Sequence, residues 1–181
     1  HGETIGTHGG LTDKGWQHFE EIQRIPLIVW IPPKYRPAGR NPGEPISEWA
    51  HLTDIYPTIL ETGGAEWDRS AVHGRSLWPV LRGETNDWRE TVFVEFNGVN
   101  SLATSMATVR RGPLKYGWNC SNRDEFYDLS EDPNETRNLI DDPSRANEVR
   151  EMRFLLDDWM EETGYPVMAR KMLQNSRRIR R

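Results

Sequence analysis

Near the start of the chain, His1, His8 and Lys14 have the types and surroundings for chemistry on an anionic group, set among Gly2, Gly6, Gly9, Gly10 and Gly15. An imidazole in a polar, glycine-rich loop can ligate a divalent metal or move a proton. Lys14, between Asp13 and Gly15, carries a compact ammonium that can meet a phosphate or sulfate oxygen. Glu20 and Glu21 could act as general bases, but they precede Arg24 at helical distance, and a structural ion pair is the plainer expectation. Singly, each has an ordinary explanation: a loop histidine as a hydrogen-bonded group, an exposed lysine as a solvated one.

These residues have to be held by elements that the pattern also predicts. The loop feeds Ile25 to Ile31, an almost unbroken apolar run bounded by Arg24 and Pro32-Pro33, which predicts a strand buried on both faces. In open α/β sheets chemistry sits on the loops at strand ends, so this order places an active-site rim at the start of the chain. Residues 33–45 are rich in proline and glycine and predict a loop, followed by a short strand around Ile46 to Trp49. Thr53 or Asp54 can cap a helix carrying Ile55, Ile59 and Leu60, ended by Gly63-Gly64, and a further turn or two of helix runs from Ser76 to Leu81. From about Trp88 the texture changes. Strands are predicted at Thr91 to Phe96, Ala107 to Arg110, Leu114 to Trp118 and Glu125 to Leu129, the middle two joined as a hairpin by Arg111-Gly112-Pro113. A long amphipathic helix from the cap Ser144 to Thr163 follows, stopped by Gly164. The domain reading is therefore 1–86, part of an α/β domain, and 87–181, a small α+β subdomain in which one long helix lies across an antiparallel sheet.

Composition narrows the function. No apolar run approaches the roughly 20 residues needed to span a bilayer, so membrane insertion is not expected. The net charge of −5 hides a basic tail: six of the last twelve residues are Lys or Arg, leaving the rest with 17 basic against 28 acidic residues. A short arginine-rich end reads as solvated or docked on an acidic body, and nucleic-acid binding is not expected. Cys120 is the sole cysteine, which rules out an internal disulfide and a thiolate metal cluster. The chain has no initiating Met and opens on a polar, functional loop, so it is expected to be the C-terminal part of a longer protein. Compartment and oligomeric state stay open; a periplasmic or secreted location is compatible, and a cytoplasmic one is not excluded.

Five ordered segments together resemble the second half of the sulfatase family of the alkaline phosphatase superfamily: His1-Gly2-Glu3 through Lys14 and Glu20-Glu21 to Arg24-Ile25-Pro26-Leu27; Asp54-Ile55-Tyr56-Pro57-Thr58; Gly74-Arg75-Ser76-Leu77; Arg110-Arg111 to Lys115-Tyr116; and Glu125-Phe126-Tyr127-Asp128-Leu129 with Asp132-Pro133-Asn134-Glu135 and Asn138-Leu139. The resemblance implies the C-terminal part of an alkaline-phosphatase-like α/β sandwich followed by the small antiparallel sheet and helix. It implies hydrolysis of sulfate esters of small molecules or carbohydrates, a divalent metal, in the first instance Ca2+, and a formylglycine nucleophile made upstream of His1. His1 takes the place of a metal ligand, Lys14 that of the sulfate-binding catalytic lysine, and His8 lies on the same rim as a further catalytic candidate. Phe19-Glu20-Glu21 falls about one residue later than the family pattern, which bears on the register of Lys14. Cys120-Ser121-Asn122-Arg123 lacks the formylglycine motif, so the isolated segment is expected to be inactive and Cys120 is read as a partly buried small residue. Glu95, Asn97, Asn100, Arg110, Arg111 and Lys115 are expected either to line a pocket for an anionic or sugar-like substrate or to be solvated strand edges. Asp54 and Arg24 are read as structural. The alternatives are a phosphonate or phosphate monoester hydrolase of the same superfamily and an inert module of the same fold.

Overall fold

The computed structural model describes residues 2–9, 17–38, 41–84, 87–98 and 104–165. His1, Lys14 and Asn100 lie outside them. Contacts gather the chain into two compact units, one of residues up to Pro26 with those from Phe93 on, the other Leu27–Val92. The boundary expected at 86/87 thus meets a different grouping, in which the opening segment packs with the C-terminal sheet.

That sheet has four strands in the order β1 (Thr91–Phe96), β2 (Met106–Arg111), β3 (Leu114–Asn119) and β4 (Glu125–Asp128). β2 and β3 form the expected antiparallel hairpin, its turn made by Gly112 at φ 55, and β4 runs antiparallel to β3. The sheet obeys the period of two. On one face Ala107, Val109, Tyr116, Trp118 and Phe126 form the core with Val149, Met152, Leu156 and Met160 of the long helix (Ala146–Glu162). That helix begins after a short 3-10 turn, where Asp142 rather than Ser144 caps by accepting from the Ser144 amide. Its end is closed by Gly164 at φ 66 with the Tyr165 amide donating to the Met160 carbonyl, so the chain reverses and buries Tyr165 beside Trp159. The other face of β2, β3 and β4 carries Thr108, Arg110, Lys115, Gly117, Glu125 and Tyr127, and it receives the opening segment.

In the second unit, Leu52–Asp54 forms a 3-10 turn leading into the helix Ile55–Thr62. Asp54 is fully buried. Its carboxylate accepts from the His51 and Arg75 amides and takes a bidentate pair from Arg89. Thr58, four residues on, accepts from the Leu77 amide, and a Cβ on Gly74 would sit 2.1 Å from the Thr53 carbonyl oxygen. The Asp-x-x-Pro-Thr and Gly-Arg-Ser-Leu segments are therefore two sides of one docking contact. The helix Trp78–Leu81 follows.

Two predicted strands are absent. Ile46 to Trp49 is irregular, and Ile25 to Ile31 is extended but unpaired, with Ile28 89% and Trp30 71% exposed. A strand buried on both faces draws hydrogen bonds and apolar cover from neighbours on each side, and among the described residues none pairs with this run. Its Leu27, Ile28, Val29 and Trp30 instead border a groove of about 350 Å³ with Ile55, Thr58, Ile59 and Leu77. No described helix is long and apolar enough to cross a membrane.

Candidate functional site

The opening segment is folded back on itself and pressed onto the polar face of the sheet. The Gly2 amide donates to the Ile22 carbonyl at 2.9 Å, and a Cβ at Gly2 would lie 1.8 Å from the Glu21 oxygen, so glycine is required by the approach of two backbones. Six residues later the His8 ring stacks on Phe19 with centroids 3.5 Å apart and planes 4° from parallel, while its Nε2 lies 3.4 Å from a Glu21 carboxylate oxygen. These contacts join described residues on either side of 10–16, the span of sequence that holds Lys14.

Next along the chain, His18 is 1% exposed and lies flat over β3 where Gly117 leaves room. Gly117 and Thr108 are cross-strand partners, and His18 Nδ1 is 2.6 Å from the Thr108 hydroxyl, which also accepts from Gln23 at 2.9 Å. Burial, aided by the charge of Lys115, lowers the His18 pKa to about 3, so the ring is neutral. Its Nε2 is buried without a hydrogen-bond partner among the described residues.

The strongest charges follow at the short helix Glu20–Gln23. Arg110 and Lys115 are cross-strand partners, a juxtaposition of like charges that would destabilise the sheet if left alone. The Glu20 carboxylate bridges them, one oxygen 3.0 Å from Lys115 Nζ and the other paired to Arg110. Lys115 also lies 2.7 Å from Glu135, and the Glu20 amide donates to the second Glu135 oxygen at 2.6 Å. Burial alone would raise the Glu20 pKa, but Lys115 and Arg110 outweigh it and hold the carboxyl below its ordinary range. For Glu135 burial prevails over Lys115 and pushes the carboxyl up; burial does the same at Glu125, which accepts from the Tyr127 hydroxyl.

The residues singled out in the sequence divide accordingly. His8 is placed at the base of the loop. Glu20 makes an ion pair as expected, but with Lys115 and Arg110 instead of Arg24, which is exposed, and Glu21 lies beside the His8 ring. Lys115 is not at a solvated strand edge: its side chain is 1% exposed, held within the ion cluster. Arg111 pairs with Glu151 at 2.7 Å, and Asn97 accepts from Ser105 and Tyr165. Cys120 is partly buried, its sulfur accepting from the Ser105 amide. His18, Phe19, Thr108, Gly117 and Glu135 were missed as site-building residues, although the alternation of β2 and β3 already places Thr108, Lys115 and Gly117 on one face. Among the described residues no group of three or more His, Cys, Asp or Glu side chains could hold a metal ion. The groove in the second unit is lined by aliphatic and indole groups with Thr58, and offers no charge to an anion.

A four-stranded sheet is thus backed by one long helix on one face and covered on its polar face by described parts of the opening segment, His18 and Glu20 among them. The family model for N-sulphoglucosamine sulphohydrolase, C-terminal, matches residues 6–162, and the chain belongs to this sulfatase family. It is 33% identical over 165 residues to the multifunctional alkaline phosphatase superfamily protein PehA of Trinickia caryophylli, covering 83% of this chain and 31% of that protein. The solved structure of a 2-O GAG sulfatase shares 31% identity and a TM-score of 0.57 over 62% of this chain and 25% of that one. The phosphonate monoester hydrolase of Agrobacterium radiobacter superposes with a TM-score of 0.52 at 25% identity, over 60% of this chain and 24% of that one. The chain spans about a third of the length of the curated relative it matches.

Proposed function

We propose that the protein containing this chain hydrolyses sulfate esters, with a sulfated carbohydrate as substrate. The observation that carries the reading is the clamped opening segment of a sulfatase-family chain: His8 meets Phe19 and Glu21, residues on either side of the span of sequence that holds Lys14. In this reading Lys14 binds the sulfate group and stabilises negative charge building on its oxygens as the ester breaks. His8 is a further catalytic candidate; since its ring is stacked on Phe19 and faces the Glu21 carboxylate, its part is to hold the opening segment together. The family implies a divalent metal, which would neutralise sulfuryl oxygens, and a formylglycine nucleophile; His1 is this chain's candidate metal ligand, with Ca2+ the first metal to try. The sulfated-carbohydrate assignment leans on the 2-O GAG sulfatase likeness.

The test is turnover by the whole protein of 4-nitrophenyl sulfate and of a 2-O-sulfated uronic-acid disaccharide. Lys14→Met should lower kcat/KM about 10²-fold or more, the scale of losing one charge-stabilising donor. Absence of sulfate-ester turnover in the wild type would leave the inert-module reading in possession. The phosphonate hydrolase likeness favours one second reading, in which the same cation faces a phosphonate monoester. Faster turnover of a phenyl phosphonate ester than of the sulfate would select it.

A further inference from the structure

We infer that Glu135 is a positioning residue for the described parts of the opening segment, residues 2–9 and 17–23, between which Lys14 falls in sequence, an assignment that rests on the sulfatase reading of Lys14. Glu135 has φ 51, in the left-handed region that a side chain makes uncomfortable, and it is the non-glycine residue with positive φ among those described. A turn needing this backbone is ordinarily served by glycine; what glycine cannot supply is the carboxylate. That carboxylate is fully used. One oxygen accepts the Glu20 amide at 2.6 Å and the other lies 2.7 Å from Lys115, which in turn holds the Glu20 side chain at 3.0 Å. Glu135 therefore grips the first residue of the helix Glu20–Gln23 twice, through its backbone and through its side chain by way of Lys115. The neighbouring residue, Phe19, is the platform for His8, and the His8–Phe19 stack joins residues 2–9 to residues 17–23. The gripping turn is itself braced: Asp132 accepts from Thr136 and from the Arg137 amide, and the Glu135 amide donates to the Asp132 carbonyl. A line of direct contacts thus runs from a turn after β4 through Glu20 and Phe19 to His8.

A merely structural role and a positioning role separate in the whole protein through two variants and a background. Glu135→Gln keeps the shape and removes the charge facing Lys115; Glu135→Gly relaxes the backbone but removes both contacts. With 4-nitrophenyl sulfate as the probe, both should lower kcat/KM about tenfold well below their melting temperatures, although the glycine variant regains backbone ease. In a Lys14→Met background the same changes should cost less than about twofold, because Glu135 acts through the lysine already lost. Amide exchange should quicken in residues 2–9 and 17–23 while β2 and β3 stay protected. Equal losses in both backgrounds, or activity that simply follows melting temperature, would overturn the inference. A wild type without sulfatase activity would instead defeat the functional reading, and the exchange pattern alone would then decide: unchanged exchange in 2–23 ends the positioning role as well.

Discussion

Gly117 offers the sharpest quantitative test of how the opening segment is seated. A Cβ placed there would lie 2.6 Å from His18 Cγ, 2.7 Å from Cδ2 and 2.9 Å from Nδ1, closer than carbon and ring atoms tolerate. The ring has nowhere cheap to go, being 1% exposed and hydrogen-bonded 2.6 Å from Thr108 on the neighbouring strand. Overpacking of this kind costs about 1–3 kcal/mol. Weakening the Thr108 bond adds about 1 kcal/mol. Against this, replacing a strand glycine by alanine returns roughly 0.5–1 kcal/mol of backbone entropy. Gly117→Ala should therefore destabilise by about 1–3 kcal/mol, read as a lowered urea midpoint at unchanged slope, with the buried Trp118 as the fluorescent reporter. In a His18→Ala background the clash is gone and only the entropic gain remains, so the same substitution should be neutral or stabilising by up to about 1 kcal/mol. The coupling between the two sites is then about 2 kcal/mol or more, well beyond the additivity error of distant positions. Equal destabilisation in both backgrounds would show that His18 does not lie on Gly117 and would undo the account of the polar face.

The neutral His18 predicts a pH dependence of defined sign. Between about 3, its folded value, and its ordinary 6.5, the unfolded chain holds a proton that the folded chain refuses, so stability is complete above pH 6.5 and falls as pH drops through this window, by at most about 1.4 kcal/mol per pH unit. His18→Asn should flatten that part of the urea-midpoint profile; an unchanged slope refutes the assignment. Burial would raise the Asp54 pKa, but Arg89 and the His51 and Arg75 amides outweigh it and depress the carboxyl, so its contribution is present above the unfolded value near 3.8 and lost as pH falls through the lower folded one. Asp54→Asn should remove that acid-side loss while lowering stability at pH 7, as an Arg89 without its anion is left part-buried; a stable variant at neutral pH would contradict this. In the sheet–helix core, Met152→Ala and Leu156→Ala, both at 0% exposure, should each cost about 2–5 kcal/mol by thermal or urea unfolding. A cost under about 1 kcal/mol would mean the core is not packed as described.

What was legible in the sequence is what depends on neighbours along the chain. The strands at Thr91 to Phe96, Leu114 to Trp118 and Glu125 to Leu129, the hairpin at Gly112 and the helix ended by Gly164 all carry local signals, and they form within a residue or two of expectation. Ile25 to Ile31 failed because an apolar β-branched run states only that cover is wanted, and pairing is a property of the partners. Asp54 was legible as a cap, but its Arg89 and Arg75 partners lie 35 and 21 residues away.

The same distinction explains the polar face, and there it carries functional weight. Alternation announces that Thr108, Arg110, Lys115 and Gly117 share a side, and a polar side ordinarily means solvent. The structure shows three features of this face that solvent would not serve: a glycine amid the strand, where it weakens pairing, a like-charged cross-strand pair, and a glutamate after Asp132-Pro133-Asn134 with positive φ. Each is a local cost, and each is offset by the same remote segment. His18 fills the space Gly117 leaves, Glu20 neutralises Arg110 and Lys115, and Glu135 takes the Glu20 amide across 115 residues. Costs that converge on one missing partner specify it more tightly than any motif, since a solvated face would tolerate alanine at Gly117 and neutral residues at Arg110 or Lys115. Residues 17–23, which follow Lys14 in sequence, are thus seated by residues of the C-terminal sheet, and changes made at Lys115, Gly117 or Glu135 should be felt where the sulfate is proposed to bind.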